Sequence, residues 1–264
     1  MLENYSNITR LMIRKKGILT MSFVESNCSF THVYQPIVYM ENREILGFEA
    51  LIRSSKGNPE QLFENARRED RLFDLDTQSL VKAVSQFSEV MSGKPKNQLF
   101  VNIYPSTLLH DEFHAFLEKI VRQRSNTNLD IVFEINEAIE EFSRWKELLD
   151  SGILSVLQKK AILIAFDDVG EGAISLKQLV DFEPDYIKLS KYFTHGIEVS
   201  PNKQRIIRVL AEFCSSGSSK LIVEGIENER QFQLLEQMGV IYGQGYLFAK
   251  PQPLEELVFV NPIL

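Results

Sequence analysis

An unbroken apolar run, Ile162 to Phe166, ends in two adjacent carboxylates, Asp167 and Asp168, and breaks at Gly170. Apolar character without polar alternation predicts a strand covered on both faces, as in a parallel sheet flanked by helices. Strand-like runs recur along the chain. They fall at Val33–Val38, Glu44–Arg53, Gln98–Tyr104, Asp130–Asn136, Ile162–Gly170, Tyr186–Ser190, Leu221–Ile226 and Tyr242–Phe248. Helical spacing fills most of the gaps: Pro59–Arg68, Leu72–Met91, Ser106–Arg124, Ala138–Lys159, Ala173–Phe182, Asn202–Cys214 and Arg230–Met238, with a turn of helix near Glu255. Ser106 is a candidate N-cap, because its hydroxyl can accept from a free backbone amide of the first turn.

Pro36 inside the first strand suggests an edge or a bulge, since proline donates nothing to a ladder. The residues Tyr39 to Arg43 alone separate the first two strands. A parallel crossover needs a dozen or more, so these strands are expected to be antiparallel neighbours. Eight strands mostly separated by helices predict an α/β fold, a modified TIM-type (β/α)8 barrel with an antiparallel first strand. An open doubly wound sheet is the alternative. Residues 1–30 lack a clear period and are expected to form an N-terminal extension, a frayed tail or a short packed helix, with Met21 a possible alternative start. Residues 31–264 are expected to form the barrel domain. No linker rich in Gly, Ser or Pro and no internal repeat divides them.

The chain has 264 residues, 44% of them hydrophobic, enough for one large core. Its net charge of −7, from 36 acids and 29 bases, argues against binding a nucleic-acid polymer. It leaves room for a small phosphorylated ligand held by a few cations. Cys28 and Cys214 have no metal or redox spacing, which suggests a reducing, cytoplasmic setting. No apolar run reaches membrane-spanning length, and the short apolar pieces after Arg14, Lys15 and Lys16 do not read as a secretory signal.

Each predicted strand carries a polar residue: Gln35, Glu49, Asn102, Glu134, Asp167 (with Asp168), Lys188, Glu224 and Gln244. In a barrel these would gather near one end and point toward one axis. Singly, each reads better as a satisfied strand-end group. Together they need partners, because buried polar groups are paired. Glu49, Asn102, Glu134, Asp167, Asp168 and Glu224 are hard oxygen donors that suit Mg2+ or Mn2+. They suffice for two ions with Asp167 as a bridge, an arrangement that activates water in phosphodiester cleavage. Lys188 would orient the water, neutralise the phosphate or balance the acids.

These residues lie in motifs that resemble the EAL-domain cyclic di-GMP phosphodiesterases. Glu49-Ala50-Leu51 stands within GFEALIR (Gly47 to Arg53), after QPI (Gln35 to Ile37). VNI (Val101 to Ile103), EINE (Glu134 to Glu137), DDVG (Asp167 to Gly170), EGIE (Glu224 to Glu227) and QGYLFAKP (Gln244 to Pro251) follow in order. The resemblance covers roughly Val33 to Pro253. It implies hydrolysis of cyclic di-GMP to linear pGpG. It implies one ion on Glu49, Asn102, Glu134 and Asp167, and a second on Asp167, Asp168 and Glu224. Lys188 and Gln244 would position the attacking water, and Gln35, Leu51 and Arg53 would hold the dinucleotide. Glu137 would brace the loop after Asp168, and the domain would form a homodimer.

Three departures stand out. The family loop D-F-G-T-G-Y-S-S-L is here Asp168-Val169-Gly170-Glu171-Gly172-Ala173-Ile174-Ser175-Leu176, and the family K-x-D is Lys188-Leu189-Ser190. The stretch after Arg53 is short and lacks the common Trp. They motivate an alternative, a catalytically inactive receptor of cyclic di-GMP. A protein-interaction module without nucleotide is a third reading, opposed by the full ligand set. Other signals are discounted. His110 and His114 lie one helical turn apart but lack the Glu of a zinc-protease helix and a third ligand. Gly170-Glu-Gly172 lacks the third glycine of a dinucleotide loop. Arg67, Arg68 and Arg71 among Glu64, Glu69 and Asp70 read as a solvated face.

Overall fold

The computed structural model describes residues 30–55, 57–124, 127–136, 141–172 and 174–260. Eight strands close a barrel in sequence order. They are β1 (Phe30–Tyr39), β2 (Ile45–Ser54), β3 (Asn97–Ile103), β4 (Leu129–Ile135), β5 (Leu163–Val169), β6 (Tyr186–Leu189), β7 (Lys220–Val223) and β8 (Tyr242–Gly243). Strand β1 runs antiparallel to β2 and to β8, and the remaining neighbours are parallel. The short Met40–Glu44 connection forces this reversal, as expected.

Helices pack outside. They are α1 (Pro59–Arg68), α2 (Leu72–Val90), α3 (Pro105–Leu108), α4 (Phe113–Arg124), α5 (Phe142–Asp150), α6 (Ile153–Lys159), α7 (Leu176–Phe182), α8 (Lys191–Thr194), α9 (Pro201–Ser216) and α10 (Glu229–Gln237). A 3-10 turn spans Ile197–Val199, and a π-type turn spans Glu256–Val260.

The structure corrects several expected boundaries. The expected helix Ser106–Arg124 is two, α3 and α4, with Tyr104 rather than Ser106 as its N-cap and Pro105 in the first turn, where a missing amide costs nothing. The expected helix Ala138–Lys159 contains a break: α5 ends at Asp150 and Gly152, at φ 75°, starts α6. The last strand is only Tyr242–Gly243, because the chain turns back and Leu247 N donates to the Ile226 carbonyl at 2.9 Å. The expected N-terminal extension and Cys28 lie outside the described residues. Cys214 is buried in α9.

Both strand faces are apolar because both are buried. Outward residues such as Phe133, Ile164, Phe166, Ile187 and Val223 join the shell under the helices. Inward residues Ile37, Phe100, Val132, Ala165, Tyr186 and Ile222 fill the barrel floor. Side chains alternate with a period of two. One step further along β3 to β7 on that inner face therefore come Asn102, Glu134, Asp167, Lys188 and Glu224. The floor is apolar, and the next layer is charged.

Trp145 of α5 is 1% exposed and meets Phe166 of β5 edge-on at 5.1 Å, while Phe182 of α7 stacks on the same ring at 5.4 Å. This aromatic trio fixes the outer side of the strand that carries Asp167. Trp145→Ala is expected to cost roughly 3–5 kcal/mol, the range for aromatic truncation in a packed core. Urea unfolding of the purified chain would measure it.

Candidate active site

The charged layer converges on the Lys188 ammonium. Its Nζ lies 2.7 Å from Glu134, 2.8 Å from Glu224, 2.9 Å from Asp167 and 3.4 Å from Glu49. Asn102 Nδ2 faces Glu49 at 3.4 Å and Glu134 at 3.3 Å. Gln244 Nε2 donates to Glu49 at 2.7 Å and faces Gln35 at 3.3 Å, while Gln35 Nε2 donates to the Ala249 carbonyl at 3.0 Å. All eight strand-borne polar residues expected to converge are thus within one network, although Glu224 and Gln244 stand one residue past their strands.

Asp168 joins this group through an irregularity. Pairing between β5 and β6 jumps from Phe166↔Ile187 to Val169↔Leu189, so β5 carries an extra residue there. Asp168 has φ 53°, in the left-handed region that few non-glycine residues adopt. Strict alternation would send Asp167 and Asp168 to opposite faces. The bulge undoes this. Oxygens of Asp167, Asp168 and Glu224 all come within 4.8 Å of one another.

Charge balance shows what such a site can hold. Burial pulls the Lys188 ammonium down, but Asp167, Glu134, Glu224 and Glu49 together outweigh it and keep it charged. One ammonium does not satisfy five carboxylates. Burial, then the neighbouring Glu49 charge, pushes Glu134 well above the usual range. Burial raises Glu224 to about 8, and burial with the adjacent Asp167 raises Asp168 to about 6. Additional positive charge would relieve all three. The donors are carboxylates plus an amide that can present its oxygen when turned over, a set that fits hard divalent cations.

A cleft of about 280 Å³ opens beside the cluster, and Glu49, Asn102 and Asp167 share its wall with Leu51, Arg53 and Tyr104. Arg53 is exposed and donates to the Ile52 carbonyl at 2.9 Å. Gln35 does not line this cleft. Glu137 lies outside the described residues.

Sequence reasoning missed α8, a four-residue helix too short to show a period. Its Thr194 Oγ1 donates to the Glu224 carbonyl at 2.5 Å, and Phe193 packs over Gly170. It also misjudged Arg67. That side chain pairs with Glu141, which is fully buried and also accepts from Ser106 N and Oγ at 2.9 Å. Arg68 and Arg71 pair with exposed Glu64 and Glu69, as a solvated face requires. His110 stacks on Phe73 at 4.0 Å and His114 faces outward.

The EAL domain family matches residues 18–251. The chain belongs to this family. It is 30% identical over 229 residues, 84% of its length, to "Probable cyclic di-GMP phosphodiesterase PdeI" of Escherichia coli K12, covering 29% of that protein. It is 26% identical over 218 residues, 82% of its length, to "Blue light- and temperature-regulated antirepressor BluF" of the same organism, covering 53% of it. The chain thus spans about a third to a half of these relatives. Among solved structures it resembles Klebsiella pneumoniae BlrP1 in a calcium and cyclic di-GMP complex, with TM-score 0.75 and 27% identity over 86% of this chain and 56% of that one. A manganese and cyclic di-GMP complex of BlrP1 superposes with TM-score 0.73, at 27% identity over 86% of this chain and 57% of that one. No helix among the described residues is long and apolar enough to cross a membrane.

The raised acids give a pH signature to the metal-free protein. Glu224 at about 8 against an ordinary 4.5 means that the folded state binds the proton more tightly than the unfolded chain. Its stabilising contribution is full below 4.5 and is lost as pH rises through 8. Urea midpoints in EDTA should therefore fall from pH 5 to pH 8.5, a window that starts above the ordinary 4.5 and runs past 8. Glu224→Gln should flatten the fall.

Proposed function

We propose that this EAL domain hydrolyses cyclic di-GMP to linear pGpG with two Mg2+ or Mn2+ ions. The observation that carries this reading is the excess of carboxylates around Lys188 at the mouth of a cleft. Glu49, Asn102, Glu134 and Asp167 would hold one ion. Asp167, Asp168 and Glu224 would hold the other. When bound, such a pair of divalent cations activates a water and neutralises the charge that develops on the phosphate.

The chain's own side chains supply the rest. Lys188 Nζ, held charged by four carboxylates, sits where it can donate to the attacking water and balance the phosphate. Gln244, already bonded to Glu49, fixes that carboxylate and offers its remaining amide atoms to the same water. Arg53, exposed at the cleft, suits a phosphate because its charge is permanent and its donors fork. Leu51 supplies apolar surface to the nucleotide, and Gln35 braces Gln244 from behind. Glu137 would brace the loop after Asp168. The reading treats residues 1–30 as an extension to a barrel of residues 31–264. It includes a cytoplasmic location and no nucleic-acid polymer or membrane as partner. It also includes a homodimer, supported by exposed Leu176 and Val180 on α7 and Val209 and Phe213 on α9.

A second reading is an inactive receptor that binds cyclic di-GMP. The altered residues Glu171 and Ser190 favour it, as does the similarity to an antirepressor. One assay separates the two. Purified chain with Mn2+ should convert cyclic di-GMP to pGpG, and Glu49→Ala or Asp167→Asn should reduce turnover at least about a thousandfold while the melting temperature holds. Calorimetric binding of cyclic di-GMP in Ca2+, with no pGpG formed in Mg2+ or Mn2+, would give the receptor instead.

A further inference from the structure

We propose that Glu171 and Ser190 form a latch that sets the position of Asp168 for a divalent cation. The inference rests on the two-ion reading above and adds positioning residues to it. Ser190 follows β6 and is fully buried. Its hydroxyl donates to the Glu171 carboxylate and accepts from Tyr192 N at 3.1 Å, so both its proton and a lone pair are committed. Glu171 is bound at both ends. Its side chain takes the Ser190 proton, and its own amide donates to the Asp168 carbonyl at 3.2 Å.

The backbone between these contacts cannot hold itself. Asp168 at φ 53° and Gly170 at φ 103° are both in the left-handed region, and for a non-glycine residue that conformation costs of order 1–3 kcal/mol. Without a tether, Asp168 would relax toward ordinary extended geometry, and strand alternation would turn it away from Asp167. The tether runs to α8, which is itself fixed to the other half of the site. Phe193 abuts Gly170, Thr194 donates to the Glu224 carbonyl, and Lys191 packs on Gly225. The latch therefore joins the Asp168 loop to the element that positions Glu224, so the two carboxylates are held relative to each other. The Glu171 charge works the other way, because it repels Asp168. Its hydrogen bond, not its charge, is the useful part.

That distinction makes the test. The nucleotide-free full chain is titrated with Mn2+ and bound ions are counted by calorimetry and electron paramagnetic resonance. The wild type is expected to take up two ions. Glu171→Ala and Ser190→Ala should each weaken the second ion roughly tenfold, the usual loss when an outer partner of a ligand is removed, and leave the first unchanged. The double variant should lose no more than either single one, since both remove one interaction. Glu171→Gln keeps an acceptor oxygen and should stay within about twofold of wild type. Unchanged second-ion affinity in the alanine variants, additive losses, a loss in Glu171→Gln equal to that in Glu171→Ala, or fewer than two ions on the wild type would each overturn the latch. Two ions on a wild type that forms no pGpG would remove the phosphodiesterase reading and leave the latch standing.

Discussion

Everything at the open end of this barrel is arranged around one buried ammonium. Lys188 is 1% exposed and touches four carboxylates carried by four different strand segments. A lone ammonium at that depth would lose its proton or unfold its surroundings, and a lone carboxylate would take one up. Each makes the other tolerable. The balance is nevertheless incomplete, because five acids outnumber the one base. An ion-pair cluster kept only for stability would be closer to neutral, and apolar residues of similar size would often do as well. The surplus negative charge is better understood as reserved for cations.

The barrel supplies this cluster by a simple device. On β3 to β7 the inner face reads apolar and then polar, two residues apart: Phe100 then Asn102, Val132 then Glu134, Ala165 then Asp167, Tyr186 then Lys188, Ile222 then Glu224. Parallel pairing sets Asn102 level with Glu134 and Ala165 level with Tyr186, while at Glu134↔Ala165 and Lys188↔Ile222 a polar residue stands beside its neighbour's floor residue, the stagger that tilted barrel strands require. The lower layer seals the barrel floor and excludes water. The upper layer then sits on a low-dielectric base, where charges interact strongly. Stability and chemistry are thus divided between successive inward positions of the same strands.

Much of this was legible in the chain itself. The fold class, the antiparallel start and the converging polar set all follow from apolar runs, a five-residue connection and one polar residue per strand. What was not legible has identifiable causes. Adjacent Asp167 and Asp168 look as though they must face opposite ways, and only the register shift with φ 53° at Asp168 shows how both reach one site. The break between α3 and α4 leaves little trace in the sequence, because helical periodicity passes across the short polar stretch His110–Glu112. The role of Arg67 was hidden because its partner Glu141 is distant in sequence, and burial cannot be read from a run of alternating charges. The last strand ends at Gly243, earlier than expected, because the chain turns back toward Ile226, and Gln244 reads as the strand's inward polar residue and not as its end.

The substitutions in the loop after Asp168 carry a related lesson about reading motifs one position at a time. Ser190 in place of an acid removes a charge beside Lys188, and Glu171 adds one nearby. Taken separately, each change counts against a working site. In three dimensions they are in contact, and the hydroxyl of one satisfies the carboxylate of the other. The local number of acids is conserved while its position moves along the backbone by one loop. A buried serine opposite a second carboxylate is compatible with the network, whereas a buried aspartate there would add like charge at close range. The two departures are therefore in direct contact and have to be judged together, not by the residue types alone.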